Sequence, residues 1–426
     1  MRVAVIGAGI IGVTTAYELA ADGHEVVVYE KSSSVAEQTS FANAGVVAPG
    51  YVTPWAAPGM PSKVLMQLFS QHTSVRLSRP LSLDQLGWMW RWWRACNAKS
   101  FSTNRTRMHR LAHYSRSRLQ MLARDLNLDY ERAPGYMVLL RTAHDLKLAR
   151  GGLKLLAELG VSFNLIDAQK ARAIEPGLHP QTPLHAAVHL PDDEVGNCRQ
   201  FAHLLRGQAQ RLGVRFEFQR QVLAIQAGRP ARVTHRGASG LNNPVIEADF
   251  DAIVVCAATG APPLLSRLGC RVPMIAVYGY SLTAPLRTFE DHPDVGPRSG
   301  VMDEAFKVAI SRIGQRVRVA GSAEIGGHLG QHTAAAMATL YKVLDDWFAG
   351  CAQLSQAQAW KGARPMLPDG PPILGPSGAE GIWLNLGHGS TGWALSCGSA
   401  RVVADQLLNR QPAIDIEGLA LSRLGR

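Results

Sequence analysis

The 426-residue sequence predicts an α/β fold in which a Rossmann-like domain is interleaved along the chain with an α+β domain built on a mixed sheet. Three observations predict it. The first thirty residues read as strand, glycine turn, helix and strand. A second strand, glycine turn and helix, "GIWLNLGHGSTGWALSCGSARVVADQLL", follows only from residue 381. Between the two, the chain alternates between helical and strand-like stretches.

In "VAVIGAGIIGVTTAYELAADGHEVVVYEK" the apolar run 3–6 has the composition of a buried parallel strand, and Gly7, Gly9 and Gly12 follow it in G-x-G-x-x-G spacing. The spacing makes a tight turn, an approach for a pyrophosphate and a close helix. The helix opens at Ile10 and Ile11 with its N–H groups toward the anion. Glu30 ends the second strand, "EVVVYE", where its carboxylate accepts hydrogen bonds from a ribose 2'-hydroxyl and disfavours a 2'-phosphate. Lys31 adjoins it in the same site. The apolar start also resembles a signal-peptide core, but its basic region is one arginine and the fingerprint uses every glycine.

After Glu30 a nicotinamide enzyme would continue with a helix and a third apolar strand. This chain runs instead into "SSSVAEQTSFANAGVVAPGYVTPWAAPGMP", which reads as a helix start and then an extended loop. An N-terminal fingerprint closed by a glycine turn at 387–392 and a long amphipathic helix suits FAD, which needs one site for its pyrophosphate and another for its isoalloxazine.

Composition limits the alternatives. No apolar run approaches the roughly 20 residues that span a bilayer. Cysteines at 96, 198, 256, 270, 351 and 397 form no C-x-x-C pair and no metal spacing, so a reduced cytoplasmic setting and no metal site are expected. The net charge of +11 is spread through the chain with a modest concentration over residues 91–124. It suits a solvated surface, acidic partners or an anionic membrane face. No nucleic-acid motif is present.

Residues 81–128 are helical in pattern, with Leu111, Tyr114, Leu119 and Leu122 on apolar faces, whereas "GYMVLL" and "RVRVAGSAEIGG" read as strands. "RQFAHLLRGQAQRLGVRFEFQRQVLAIQA" reads as a helix and two strands, and "FDAIVVCAATGAPPLL" as a buried strand ending in a small-residue turn. The expected division is 1–60, 185–272 and 361–426 for the nucleotide domain, with 61–184 and 273–360 for the substrate domain.

Six stretches carry a resemblance: "SFANAGVVAPGYVTPWAAPG", "LPDDEVGNCRQF", "GYSLTAP", "MDEAFKVAISRIGQRVRVAGSAEIGG", "RPMLPDGPPILG" and "LNLGHGSTGWALSCGSA". In this order, across the whole chain, the sequence resembles the FAD-dependent D-amino acid dehydrogenases of the small-subunit type, within the glycine oxidase and D-amino acid oxidase family. The resemblance implies a GR2-type FAD-binding domain. It places Ser40, Asn43, Ala44 and Gly45 in the loop that meets the flavin, and Val222 where a backbone contacts adenine. Gly387, His388, Gly389, Thr391, Gly392 and Trp393 fall in the C-terminal turn, where a helix N-terminus stabilises negative charge near flavin N1 and the C2 carbonyl. His388 either takes part there or packs as a turn residue. Ala257 lies in "CAATG", a departure in which the family's glycine falls on Ala258.

By the same resemblance Arg364 is the guanidinium clamp on the substrate carboxylate, against the alternative of a structural salt bridge. Tyr280 matches a family tyrosine; Tyr278 and Ala276 depart from the basic residue and proline of many relatives. The two tyrosines, spaced by two on one face of a strand, either hydrogen-bond substrate or face outward. The implied reaction is hydride transfer from Cα of a D-amino acid to flavin N5, then hydrolysis of the imino acid to a 2-oxo acid and ammonia. The dehydrogenase resemblance implies that electrons pass to a quinone or respiratory acceptor; without it they pass to oxygen. "QLGWMWRWWRAC" suits either a helix at the inner face of the cell membrane or one packed between domains. Two further readings stay open: a dehydrogenase of D-proline or cis-hydroxy-D-proline, which the departures at 276 and 278 allow, and a non-catalytic flavin-binding sensor.

Overall fold

In the computed structural model of the chain, which describes residues 1–67, 74–78, 80–237, 243–288 and 295–425, the described strands form three sheets. The first has the order β18 (Ile373–Pro376), β19 (Ile382–Leu386), β12 (Ala252–Val255), β1 (Arg2–Ile6), β2 (Glu25–Tyr29) and β8 (Arg215–Glu217), all parallel but for β18. The continuous apolar runs of β1 and β2 follow from burial on both faces. Val3, Val5, Val26 and Val28 enter one core; Ala4, Ile6, Val27 and Tyr29 enter the other. The second core is closed by the sheet of β11 (Ile246–Phe250), β10 (Ala231–Gly237) and β9 (Arg220–Gln226).

The described α-helices are α1 (Ile10–Ala21), α2 (Met60–Gln67), α3 (Leu83–Ala95), α4 (Ala98–Asp125), α5 (Ala143–Glu158), α6 (Ala168–Ile174), α7 (Cys198–Arg211), α8 (Ala261–Ser266), α9 (Ala334–Phe348) and α10 (Gly392–Leu407). Helices α1, α4, α7 and α10 pack together over the first core. Their junction holds the buried carboxylate of Glu18, clamped by both prongs of Arg118 from α4 at 2.7 Å and by Arg401 from α10 at 2.9 Å. Removing one side of such a buried pair typically costs about 3–5 kcal/mol.

The third sheet runs β17 (Gln358–Met366), β13 (Ile275–Pro285), β16 (Arg316–Ile325), β15 (Val308–Ile313), β14 (Gly300–Asp303), β5 (Ala133–Leu140), β7 (Ala186–Val195) and β3 (Val46–Val47). Strand β4 (Val75–Leu77) pairs with β16, and β6 (Asn164–Ile166) with β7. Helix α9 buries Leu340, Val343 and Trp347 against one face of it. Strands β3, β7 and β17 pair here, although residues 46–47, 186–195 and 361–366 fall within the segments expected to build the nucleotide domain.

Two local expectations are corrected. Residues 32–41 form bends and turns, not a helix start; Ala36 N–H donates to the Ala8 carbonyl at 2.9 Å and folds the segment back on the glycine turn. Helix α10 is not amphipathic. Its small residues let neighbours close on nearly every face, so Ser396, Cys397, Gly398, Ser399 and Ala400 are all buried. No helix among the described residues is long and apolar enough to cross a membrane.

Ala258, in the turn after β12, has φ of +46°, a left-handed conformation that an L side chain occupies at a cost of roughly 1–2 kcal/mol. Ala258→Gly is expected to stabilise the apoprotein by about 0.5–1 kcal/mol once the extra chain entropy of glycine is subtracted, measured as a higher denaturant midpoint.

Candidate functional site

At the start of α1 a Cβ on Gly12 would lie 1.8 Å from the Gly7 carbonyl oxygen, so only glycine lets helix and strand approach this closely. Gly9 caps α1 without a side-chain hydrogen bond, and the Ile10 N–H meets the Ser40 hydroxyl at 3.1 Å; Ile11 follows in the first turn. The buried Glu30 carboxylate accepts from the Ala8 N–H at 2.7 Å and the Ser32 N–H at 2.8 Å. Each oxygen keeps a lone pair for a ribose hydroxyl. Arg220 N–H donates to the Glu30 carbonyl at 2.8 Å, which brings the start of β9, and with it Val222, to the end of β2. Lys31 is exposed beside them, and Ala257 abuts Gly7. A glycine cradle, a helix start without a side-chain cap and an acid at the strand end fit a dinucleotide.

The loop from Thr39 to Gly45 is held by the third sheet rather than by its own structure. Thr39 Oγ1 donates to the Ala363 carbonyl at 2.6 Å; the carbonyls of Ala42 and Ala44 accept from Ser281 and Ser311 at 2.8 Å, and that of Asn43 from Arg318 at 3.1 Å. Asn43 Oδ1 closes the turn on the Gly45 N–H at 3.0 Å. Ser281, Ser311 and Arg318 were invisible as site residues in the sequence. The one available signal was Arg318, a cation in the apolar alternation of "RVRVAG".

The C-terminal turn joins the same place through a bridge between Met366 of β17 and His388. His388 is a packed turn residue: its Nε2 lies 3.0 Å from the Ser399 hydroxyl, and burial lowers its pKa to about 3, so the ring is neutral. Thr391 N–H closes on the His388 carbonyl at 3.1 Å, and Gly387 and Gly389 frame this turn. Gly392 opens α10 with no side-chain cap, leaving N–H groups for a ligand, while the Trp393 ring packs against Tyr130 and Phe201.

Arg364 projects from β17 on the face that carries Val277 and Gly279. Its guanidinium lies flat over Gly279, where a Cβ would come within 2.2 Å of Nη2. Nη1 donates to the Ser322 carbonyl at 2.7 Å, and no carboxylate pairs with it among the described residues. Desolvation without a counter-ion lowers its pKa to about 10. The side chain keeps part of its surface open, so an anion can reach it. Gly279, the residue between the two tyrosines of "YGY", is the cradle that sequence reasoning passed over.

The structure does not bring Tyr278 and Tyr280 to Arg364. They pair with Ala363 and Lys361, on the other face of the sheet. The Lys361 ammonium sits 4.7 and 5.1 Å from their ring centroids and 2.9 Å from Glu324. The Tyr280 hydroxyl is committed to Glu324 and to Thr333, the latter at 2.9 Å, under α9.

Comparison with known proteins decides the family. The profile of the FAD dependent oxidoreductase family, DAO, matches residues 2–406. The chain belongs to that family. It is 41% identical over 428 residues to a D-amino acid dehydrogenase of Rhizorhabdus wittichii, covering 99% of this chain and 100% of that one. A D-amino acid dehydrogenase of Rhizobium johnstonii is 40% identical over 429 residues, covering 100% of both. Among solved structures the fold is similar to glycine oxidase from Geobacillus kaustophilus, with a TM-score of 0.75 at 20% identity over 99% of both chains. It is also similar to L-proline dehydrogenase from P. horikoshii, with a TM-score of 0.71 at 16% identity over 99% of this chain and 97% of that one. As a member of the DAO family the protein is an oxidoreductase with FAD as its cofactor.

Glu30→Gln is expected to weaken FAD binding by about 1–2 kcal/mol, because an amide replaces a charged acceptor of several hydrogen bonds. Reconstitution of the apoprotein with graded FAD measures it.

Proposed function

We propose that the protein oxidises D-amino acids to 2-oxo acids and ammonia and passes the electrons to a quinone. One observation carries this reading: a desolvated guanidinium, Arg364, lies on a glycine beside the loop 39–45 and the turn 387–392 with no carboxylate partner among the described residues. A group in that state is stabilised by a carboxylate brought by substrate. The two relatives named D-amino acid dehydrogenase, alike over their whole length, support the D-series.

Bound FAD supplies the acceptor for the hydride that leaves Cα. The protein's own residues position and shield. Arg364 fixes the carboxylate with two prongs and so fixes which face of Cα is presented. Gly7, Gly9, Gly12 and Glu30 would hold the nucleotide. Ser40, Asn43, Ala44 and Gly45 would offer backbone to the ring, as would Gly387, Gly389 and Gly392. The departures at Ala276 and Tyr278 face away from Arg364, so the cyclic-amine reading gains no support from them.

Helix α3 supports an acceptor at a membrane surface. Trp88 and Trp92 are buried against Trp55, with centroids 5.9 and 5.3 Å away, and the Trp88 indole donates to the Met366 carbonyl at 2.9 Å. The other side exposes Trp90, Trp93, Leu83 and Leu86 beside Arg91 and Arg94. The same segment therefore packs inward and presents an apolar, cationic face suited to anionic headgroups on the cytoplasmic side.

Arg364→Lys keeps the charge and loses the fork, so KM rises with a smaller loss of kcat; Arg364→Leu is expected to cost about 3–5 kcal/mol in kcat/KM with normal FAD content. Wild-type turnover of Arg364→Leu would remove the clamp. In stopped flow, membranes or a soluble quinone analogue are expected to re-oxidise the reduced enzyme faster than air; faster reaction with oxygen would make it an oxidase.

A further inference from the structure

Strand β16 carries a bulge beside Arg364. Its partner β13 pairs Tyr278 with Glu324 and Tyr280 with Gly321, so Ser322 and Ala323 together oppose the single residue Gly279. Gly279 is the residue on which the guanidinium rests. Bulges of this kind re-aim side chains and recur next to active sites.

Ser322 is unusual in three respects. Its φ of +58° is a left-handed conformation inside a strand, which glycine would occupy without strain. The residue is 5% exposed, yet its buried hydroxyl has no hydrogen-bond partner among the described residues. Its carbonyl is the one protein group that the Arg364 guanidinium holds among the described residues, at 2.7 Å. A serine hydroxyl and its own carbonyl oxygen are at most about 5 Å apart by covalent geometry.

We propose that Ser322 is a second substrate-binding residue, whose hydroxyl donates to the carboxylate that Arg364 clamps. The inference rests on the proposed role of Arg364. It gives the strained serine at the bulge a role: the left-handed turn leaves a buried hydroxyl unspent on the residue whose carbonyl holds a cation without a carboxylate partner among the described residues, and substrate satisfies both. A buried hydroxyl without a partner is costly unless a ligand completes it. No bond is made or broken by Ser322, and its contribution is to orientation and affinity.

The test compares Ser322→Ala, Ser322→Gly and Arg364→Leu holoenzymes, using the D-amino acid that bleaches the flavin fastest and the amide of that amino acid. Both Ser322 variants are expected to raise KM for the acid about tenfold while kcat changes less than about threefold. KM for the amide, which lacks the carboxylate, stays within about twofold by the same reasoning. Ser322→Gly is also expected to raise Tm, since glycine relieves the left-handed backbone; this readout needs no turnover and guards against a misfolded alanine variant. Unchanged KM for the acid, an equal rise for acid and amide, or a lower Tm for Ser322→Gly overturns the proposal. If Arg364→Leu raises KM for the acid and the Ser322 variants do not, only the serine assignment falls. If Arg364→Leu has no effect either, the carboxylate clamp falls with it.

Discussion

Three consecutive backbone carbonyls, those of Ala42, Asn43 and Ala44, hang on side chains of the third sheet, and the site depends on them. A loop rich in alanine and glycine has no core of its own and would otherwise sample many conformations at a high entropic cost to any ligand. Tied to β13, β15 and β16, it presents a fixed backbone between the two sheets. Thr39 adds a tether to Ala363, one residue before Arg364, so the loop and the guanidinium share a strand. The loop that follows the first sheet and the third sheet are thereby registered by hydrogen bonds whose loss would leave backbone carbonyls unsatisfied.

The electrostatics of that sheet face follow from the same arrangement. Arg364 and Arg318 both project from it, and among the described residues Arg318 bonds only neutral oxygens, those of Thr283 and Asn43. Burial lowers both pKa values to about 10, and both cations persist at neutral pH. Two poorly solvated positive charges without carboxylate partners among the described residues give the face a positive potential that favours anions. On the opposite face the chain does the reverse: Lys361 is neutralised by Glu324 and enclosed by Tyr278 and Tyr280, a satisfied network that supports the strand from behind.

Much of this was legible in the sequence because it is local. Gly7 to Glu30 declare their fold through periodicity and spacing within thirty residues, and the strand-turn-helix at 382–407 does likewise. Arg364 was singled out by the resemblance of its surrounding stretch, and the structure leaves it without a carboxylate partner among the described residues. The tyrosines show where such reading stops. Their spacing of two correctly puts them on one face, but which face meets the site depends on the pairing of β13 with β17, a contact between residues some eighty positions apart. The bulge at Ser322 is likewise a property of two strands together, and a serine in a strand carries no mark of positive φ. Helix α10 was misread as amphipathic because serine and glycine count as polar by composition, although here they are the small residues that let α1 and α4 close on it.

The interleaving of the chain also has a consequence for biosynthesis. Gly7 and its turn emerge from the ribosome early, but the turn at Gly387 is made roughly 380 residues later, a delay of roughly 20–80 s at ordinary elongation rates. Through that interval the nascent β1 and α1 lack α10 as a cover, and Glu18 lacks Arg401. Such a chain offers chaperones a long window of exposed apolar surface, and a nucleotide captured by the early half alone would be held without the turn that completes its site. Maturation of this protein is thus a late event by topology, set by where in the message its last structural partner is encoded.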